Sequence, residues 1–166
     1  GPGECGKDTA SQWFRDYTSL RYTMSTSLAA AHIVHQAAPG KYATAEERWA
    51  DRRNHRTLWG ETIAEHNAPD GIRLYRDMVD GVHDGTSQDI LNGIRRIEEL
   101  RGCQASRLFD VSVWIERPGS PVDESLTITR EDCDRVVSNS NGLCQFYLNL
   151  QRLSEWLGIE VIGATG

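Results

Sequence analysis

Lysine is almost missing from this chain of 166 residues: Lys7 and Lys41 stand against sixteen arginines. Such a bias fits selection for planar, bidentate contacts, although a GC-rich coding sequence is the plainer cause. Long apolar runs are missing too, and no stretch approaches the ~20 residues of a membrane-spanning helix. The four cysteines, Cys5, Cys103, Cys133 and Cys144, form no CxxC pair, which argues against a structural zinc knuckle and a dithiol redox motif. There is no Gly-x-Ser-x-Gly elbow and no Gly-rich loop of the Walker or dinucleotide type, so the common hydrolase and nucleotide-binding classes lose their usual signals. Catalytic groups are recognised by geometry and not by order, so a dispersed site stays open. Basic residues are outnumbered as well: a net charge of −6 disfavours nonspecific binding to nucleic acid over the whole surface.

What remains is an ordinary globular composition. The chain is 39% hydrophobic with five tryptophans, enough for a single domain over residues 1–166 with its own core. Gly1-Pro2-Gly3 reads as the scar of a cleaved tag, and a mature chain that opens near a cysteine, with four cysteines in all, points to a removed secretory leader and an oxidising compartment.

Along the chain, helical signals dominate residues 8–101 and mixed signals residues 103–166. Thr9 and Gln12 have capping-box spacing, and Trp13, Tyr17, Leu20, Met24, Leu28 and Ala31 recur at helical steps, predicting one long helix up to Pro39-Gly40. Thr44 and Glu47 open a second helix that runs through Trp49, Trp59 and Ile63 to Asn67. Ile72, Tyr75, Val79 and Val82 predict a shorter third, closed by the loop Asp80 to Asp89, and Ile90, Ile94, Ile97 and Leu100 a fourth, stopped by Gly102. Leu108 to Glu116 alternates cleanly, with Phe109, Val111, Val113 and Ile115 on one side, and reads as the core's central strand. Leu126 to Ile128 reads as a short strand and Thr129-Arg-Glu-Asp132 as a helix start ended by Asn139-Ser-Asn-Gly142. Cys144, Phe146, Leu148 and Leu150 then alternate as a second core strand, and a short helical turn through Leu153, Trp156 and Leu157 follows. The expected fold is α+β: a helical N-terminal half packed on a small, mainly antiparallel sheet from the C-terminal half.

Three groups of residues invite a chemical reading. Arg48, Trp49, Arg52, Arg53, Arg56 and Trp59 would share one sector of a continuous helix, where guanidinium forks alternating with indoles suit an anionic ligand. The plainer reading is a packed face with arginine stems lying along tryptophan rings. Asp77, Asp80, His83, Asp84 and Asp89 gather cation ligands around two glycines without EF-hand spacing, and capping of the next element is the better account. His32 and His35 on adjacent turns make half a metal site with no assignable third ligand. No metal or cofactor is expected.

The Thr-Arg-Glu-Asp-Cys133 helix start followed by Cys144 on an alternating strand resembles the helix and strand units of small secreted cysteine-containing proteins of filamentous fungi, including effectors of plant pathogens. The resemblance spans about the last 60 residues. It implies a disulfide-stabilised α+β core, secretion, and virulence-related binding of a host or extracellular protein rather than catalysis. The expected pairs are Cys133–Cys144, from a helix folded back on the strand after it, and Cys5–Cys103 by elimination. The alternative function is a small secreted hydrolase or nuclease with a dispersed His, Asp and Arg site.

Overall fold

The computed structural model describes residues 1–121 and 125–162. Polar side chains decide where its first helix ends. Helix α1 (Lys7–Tyr17) starts behind Gly6, whose φ of 104° is easy only for glycine, so the Thr9 capping box is not used. It stops where the Thr18 hydroxyl donates to the Phe14 carbonyl at 2.6 Å and accepts from the Leu20 N–H at 3.1 Å. Beyond it the Asp89 carboxylate takes the N–H groups of Arg21 and Tyr22 at 2.8 and 3.0 Å, drawing the chain into strand β1 (Thr23–Ser25). The Ser25 hydroxyl then caps helix α2 (Thr26–Ala37) by accepting from the Leu28 N–H. The long helix expected over this region is therefore two helices with a strand between them. The two helices pack into different clusters, Trp13 and Phe14 of α1 in one and Ala29 and Ile33 of α2 in another, so the continuous spacing does not mark a common face.

The second expected helix is broken as well. Thr44 caps helix α3 (Ala45–Ala50) through the Glu47 N–H, as its spacing predicts. Asp51 ends it: its carboxylate accepts from Asn54 Nδ2 and the Tyr42 hydroxyl, and the chain passes through a 3-10 turn (Arg52–His55) into helix α4 (Arg56–Asn67). Helix α5 (Arg73–Asp80) forms where the apolar spacing places it, closed by Gly81 at a φ of 72°. The fourth expected helix starts late. Ile90–Asn92 instead forms strand β2, parallel to β1, and helix α6 (Ile97–Ala105) begins where the Ile97 N–H finds the Thr127 hydroxyl, 30 residues away, at 2.9 Å. Gly102 lies inside α6 rather than at its end. A Cβ there would meet Ile72 Cγ2 at 2.8 Å, so the glycine admits a close neighbour.

The C-terminal half departs furthest from expectation. Of the alternating stretch 108–116 only Val113–Glu116 pairs, as strand β3. Its partner is strand β4 (Arg135–Ser138), in the segment expected to be helical; the Thr129 capping box forms, but around a 3-10 turn (Arg130–Asp132). The two strands run parallel, Val113 opposite Arg135 and Glu116 opposite Ser138. Parallel pairing needs a long crossover, and residues 117–134 supply one. Leu126 to Ile128 forms no strand; it packs Ile128 inward and gives the Thr127 N–H to the Arg95 carbonyl. The expected strand Cys144–Leu150 is the first half of helix α7 (Gly142–Leu157), which buries Phe146, Leu150, Leu153 and Ser154 at helical spacing and leaves Leu148 half-exposed. The antiparallel sheet is thus corrected to two parallel two-stranded ribbons, β1–β2 and β3–β4, among seven α-helices in the described residues.

Three apolar clusters form the core. One joins Trp13 and Phe14 of α1 to Ile115, Val137, Phe146 and Leu150; a second joins Ala29, Ile33, Leu74, Tyr75, Met78 and Cys103; a third joins Leu100, Trp114 and Ile128. Ile94 and Phe109 bridge the second and third. Trp114 and Ile115 point into different clusters, so β3 is buried on both faces and the outward side read from the sequence does not exist there. All four cysteines are free. Cys5 and Cys103 are buried in separate clusters. Cys133 is half-buried before β4 and Cys144 is exposed on the first turn of α7, and they are not bonded to each other. Apolar packing and not cross-linking holds the fold.

Candidate functional site

The break at Asp51 disperses the Arg–Trp stripe over α3, the 3-10 turn and α4. Arg48 turns inward at 4% exposure, donating to the Ala38 carbonyl and lying 4.7 Å from the Tyr42 ring centre. Trp49 is 36% exposed; its indole N–H reaches Ser27 Oγ at 3.1 Å and Arg52 stacks on it at 4.2 Å. Arg53 and Arg56 are exposed, while Trp59 is half-buried with its indole nitrogen unpaired among the described residues. Only Trp49 and Arg52 meet as the ladder supposed. Beside them Asp51 binds the Tyr42 hydroxyl, Asn54 and His55; the Tyr42 hydrogen bond holds its carboxyl below the usual range and, reciprocally, the carboxylate raises the Tyr42 phenol.

A second group assembles from residues the sequence keeps apart. His66 of α4 hydrogen-bonds Asp77 of α5 at 2.7 Å, both largely buried. His83, just past α5, stacks on His32 of α2 with ring centres 5.6 Å apart, and its buried Nε2 has no partner among the described residues. Burial first, and His32 second, push the His83 pKa down. The sequence reading included His32, Asp77 and His83 but missed His66, whose signal exists only once α4 and α5 pack. His35 does not join them. Asp84 accepts from the Thr86 N–H and Asp89 from the β1 approach, so these loop carboxylates are spent on backbone, while Asp80 stays exposed. Among the described residues no three His, Cys, Asp or Glu side chains are arranged to hold a metal ion.

A wide concavity lies elsewhere, between residues of the three clusters. It has a volume of about 710 Å³. Its walls are Phe14 of α1, Ile90 and Leu91 of β2, Phe109 and Val113 before and on β3, and Leu153 of α7. Seven of the nine residues 108–116 line this cavity, Asp110 and Ser112 of the other side among them, so before β3 the stretch serves as wall rather than as strand. Of its polar groups, Asn92 donates to Ser11 Oγ at 3.1 Å, Ser112 donates from backbone and side chain to Asp134 at 2.8 and 2.6 Å, which lowers the Asp134 pKa, and Asp89 accepts from the Arg21 and Tyr22 N–H groups, while Lys7 and Asp110 also stand on the wall. A smaller hollow of about 420 Å³, lined by Gly6, Thr9, Arg117, Ser140 and Leu143, opens between the starts of α1 and α7. No protein-family model matches this chain, and no curated protein and no solved structure matches it.

Proposed function

We propose that this protein works by binding, and that its ligand is an apolar small molecule held between the three core clusters. The observation that carries the reading is the cavity of about 710 Å³ with its mainly aliphatic and aromatic wall. Pockets of ~300–1,000 Å³ with few polar groups are the usual form of small-molecule sites. Because Asn92 and Ser112 are already bonded within the protein, a ligand gains chiefly by leaving water, at roughly 25 cal/mol per Å² of apolar surface buried.

This keeps recognition without catalysis, as the sequence suggested, but moves the partner from an extracellular protein to a small molecule. It does not depend on the compartment, and the secreted location no longer has disulfides to lean on. A hydrolytic reading would rest on His66–Asp77, yet the hydrogen bonds of the described residues give His66 only Asp77 and no hydroxyl or thiol to activate. Neither His55 nor His83 lines either cavity.

Titration with N-phenyl-1-naphthylamine, a neutral probe that brightens on leaving water, tests the proposal. The wild-type protein should bind it saturably, and Val113→Phe, which fills the cavity from β3, should weaken binding by at least about tenfold, or ~1.4 kcal/mol, at an unchanged melting temperature. Unsaturable binding, or equal affinity in a folded Val113→Phe, would refute it.

A further inference from the structure

The cavity and the histidine group share one segment of chain. Val79 on the last turn of α5 and Gln88, Asp89 and Ile90 beyond the loop all line the cavity, and His83 sits in the loop between them. That loop is held at each end by backbone bonds, Val82 N–H to Asp77 O at 2.9 Å and Gln88 N–H to Met78 O at 3.2 Å. Its middle is held against the helices by the stack of His83 on His32.

We infer that the His32–His83 stack is a proton-sensitive latch on this wall, so that mild acid opens the loop 81–89 and releases the ligand. The inference rests on the cavity being the binding site. The geometry supplies the reason. His83 faces His32 from α2, His66 from α4, Asp77 from α5 and Asp84 from its own loop. Of the two carboxylates Asp77 already serves His66 at 2.7 Å and Asp84 accepts from the Thr86 N–H. A neutral His83 can carry its proton on Nδ1 and leave the buried Nε2 bare, a modest cost, whereas a protonated ring must place an N–H there with no acceptor. The His32 ring stacked on it disfavours a charge on His83 as well. The sign follows from the lowered His83 pKa: the stack's contribution is complete above the ordinary imidazole value of ~6.5 and is lost as pH falls through that value toward the folded one. His66 has its own acceptor in Asp77 at 2.7 Å, so the latch is His83 and not the histidine group as a whole.

The affinity for N-phenyl-1-naphthylamine, measured at pH 7.5 and 5.5, reads the latch. With the ordinary imidazole value of ~6.5 in the open loop, pH 5.5 shifts the equilibrium by at most about tenfold, so a loop closed in half of the molecules at pH 7.5 loses wild-type affinity roughly fivefold. His83→Phe stacks on His32 but takes no proton, and its affinity should agree within about twofold at the two pH values; His83→Gln serves if the phenylalanine variant does not fold. A wild-type affinity that ignores pH, or an equal loss in the histidine-free variants, overturns the latch while leaving the cavity reading intact. Absence of probe binding at pH 7.5 sinks the cavity reading, and the latch is then judged without ligand. Hydrogen-exchange protection of the Val82, Gly85 and Gln88 amides should drop in acid in wild type and not in His83→Phe, and unchanged protection refutes the latch.

Discussion

At the scale of single residues, burial and not residue type separates the five tryptophans. Trp13 is 6% exposed and fills the first cluster, whereas Trp49 is 36% exposed and serves as a platform for Arg52. Sequence spacing alone treats Trp49 as core and predicts a cost of ~3–5 kcal/mol for its removal. The structure lowers that expectation: Trp49→Ala should cost about 1 kcal/mol, from lost partial burial and an exposed cation–π contact. Phe146→Ala, at a side chain 1% exposed, should cost ~3–5 kcal/mol. Urea denaturation of both variants decides; a Trp49→Ala loss as large as that of Phe146→Ala would mean that the indole is buried after all. Arg48 makes the same point with a charged residue. Nothing in its helical position marks it as 4% exposed, because the carbonyl it reaches, Ala38, belongs to the end of another helix.

At the scale of elements, the sequence locates some termini that local chemistry defines and misplaces others, Thr9 and Gly102 among them. Thr44 and Thr129 cap where their spacing says, and α5 occupies the turns its apolar residues outline. Elements that wait for a distant partner move. α6 starts at Ile97 because Thr127 arrives there, and the apparent strand at Cys144 is helical because residues 146, 150, 153 and 157 outvote the alternation once the run extends to sixteen residues. Gly102 offers a test of whether tertiary contact overrides propensity. Inside an exposed helix Gly→Ala stabilises by ~0.5–1 kcal/mol, but a Cβ at Gly102 collides with Ile72 Cγ2. Gly102→Ala should therefore destabilise by ~1–3 kcal/mol, the range for overpacked cores, and combination with Ile72→Ala should recover part of the loss relative to Ile72→Ala alone. A stabilised Gly102→Ala would show that α6 lies further from Ile72 than 2.8 Å.

At the scale of the whole molecule, apolar packing without cross-links has a direct chemical signature. Intact mass under non-reducing conditions should show four free thiols, and a reductant should leave the melting temperature unchanged. In the native state the exposed Cys144 should react first with a thiol reagent, while Cys103, buried and with its pKa pushed up to about 12, should react only on unfolding. A mass lower by the hydrogens of two disulfides, or a melting point that falls with reductant, would contradict this arrangement. The three clusters leave a concavity between them, and that concavity is what makes the molecule a candidate receptor for an apolar ligand.

By itself the sequence determined some short-range events: the caps at Thr44 and Thr129, where α5 runs, that Ile115, Phe146 and Leu150 go inside, and that no described helix is long and apolar enough to cross a membrane. These follow from forces acting within about one helical turn. Tertiary structure alone decided the rest. The parallel pairing of β3 with β4, the break at Asp51 and the capture of residues 21–25 by Asp89 each depend on groups tens of residues away, or on an acceptor with several competing donors. The functional candidates belong to this second class. Phe14, Leu91, Val113 and Leu153 become one cavity, and His32, His66, Asp77 and His83 one group, only where helices packed for apolar burial happen to bring them together, and no spacing along the chain encodes a distance between elements.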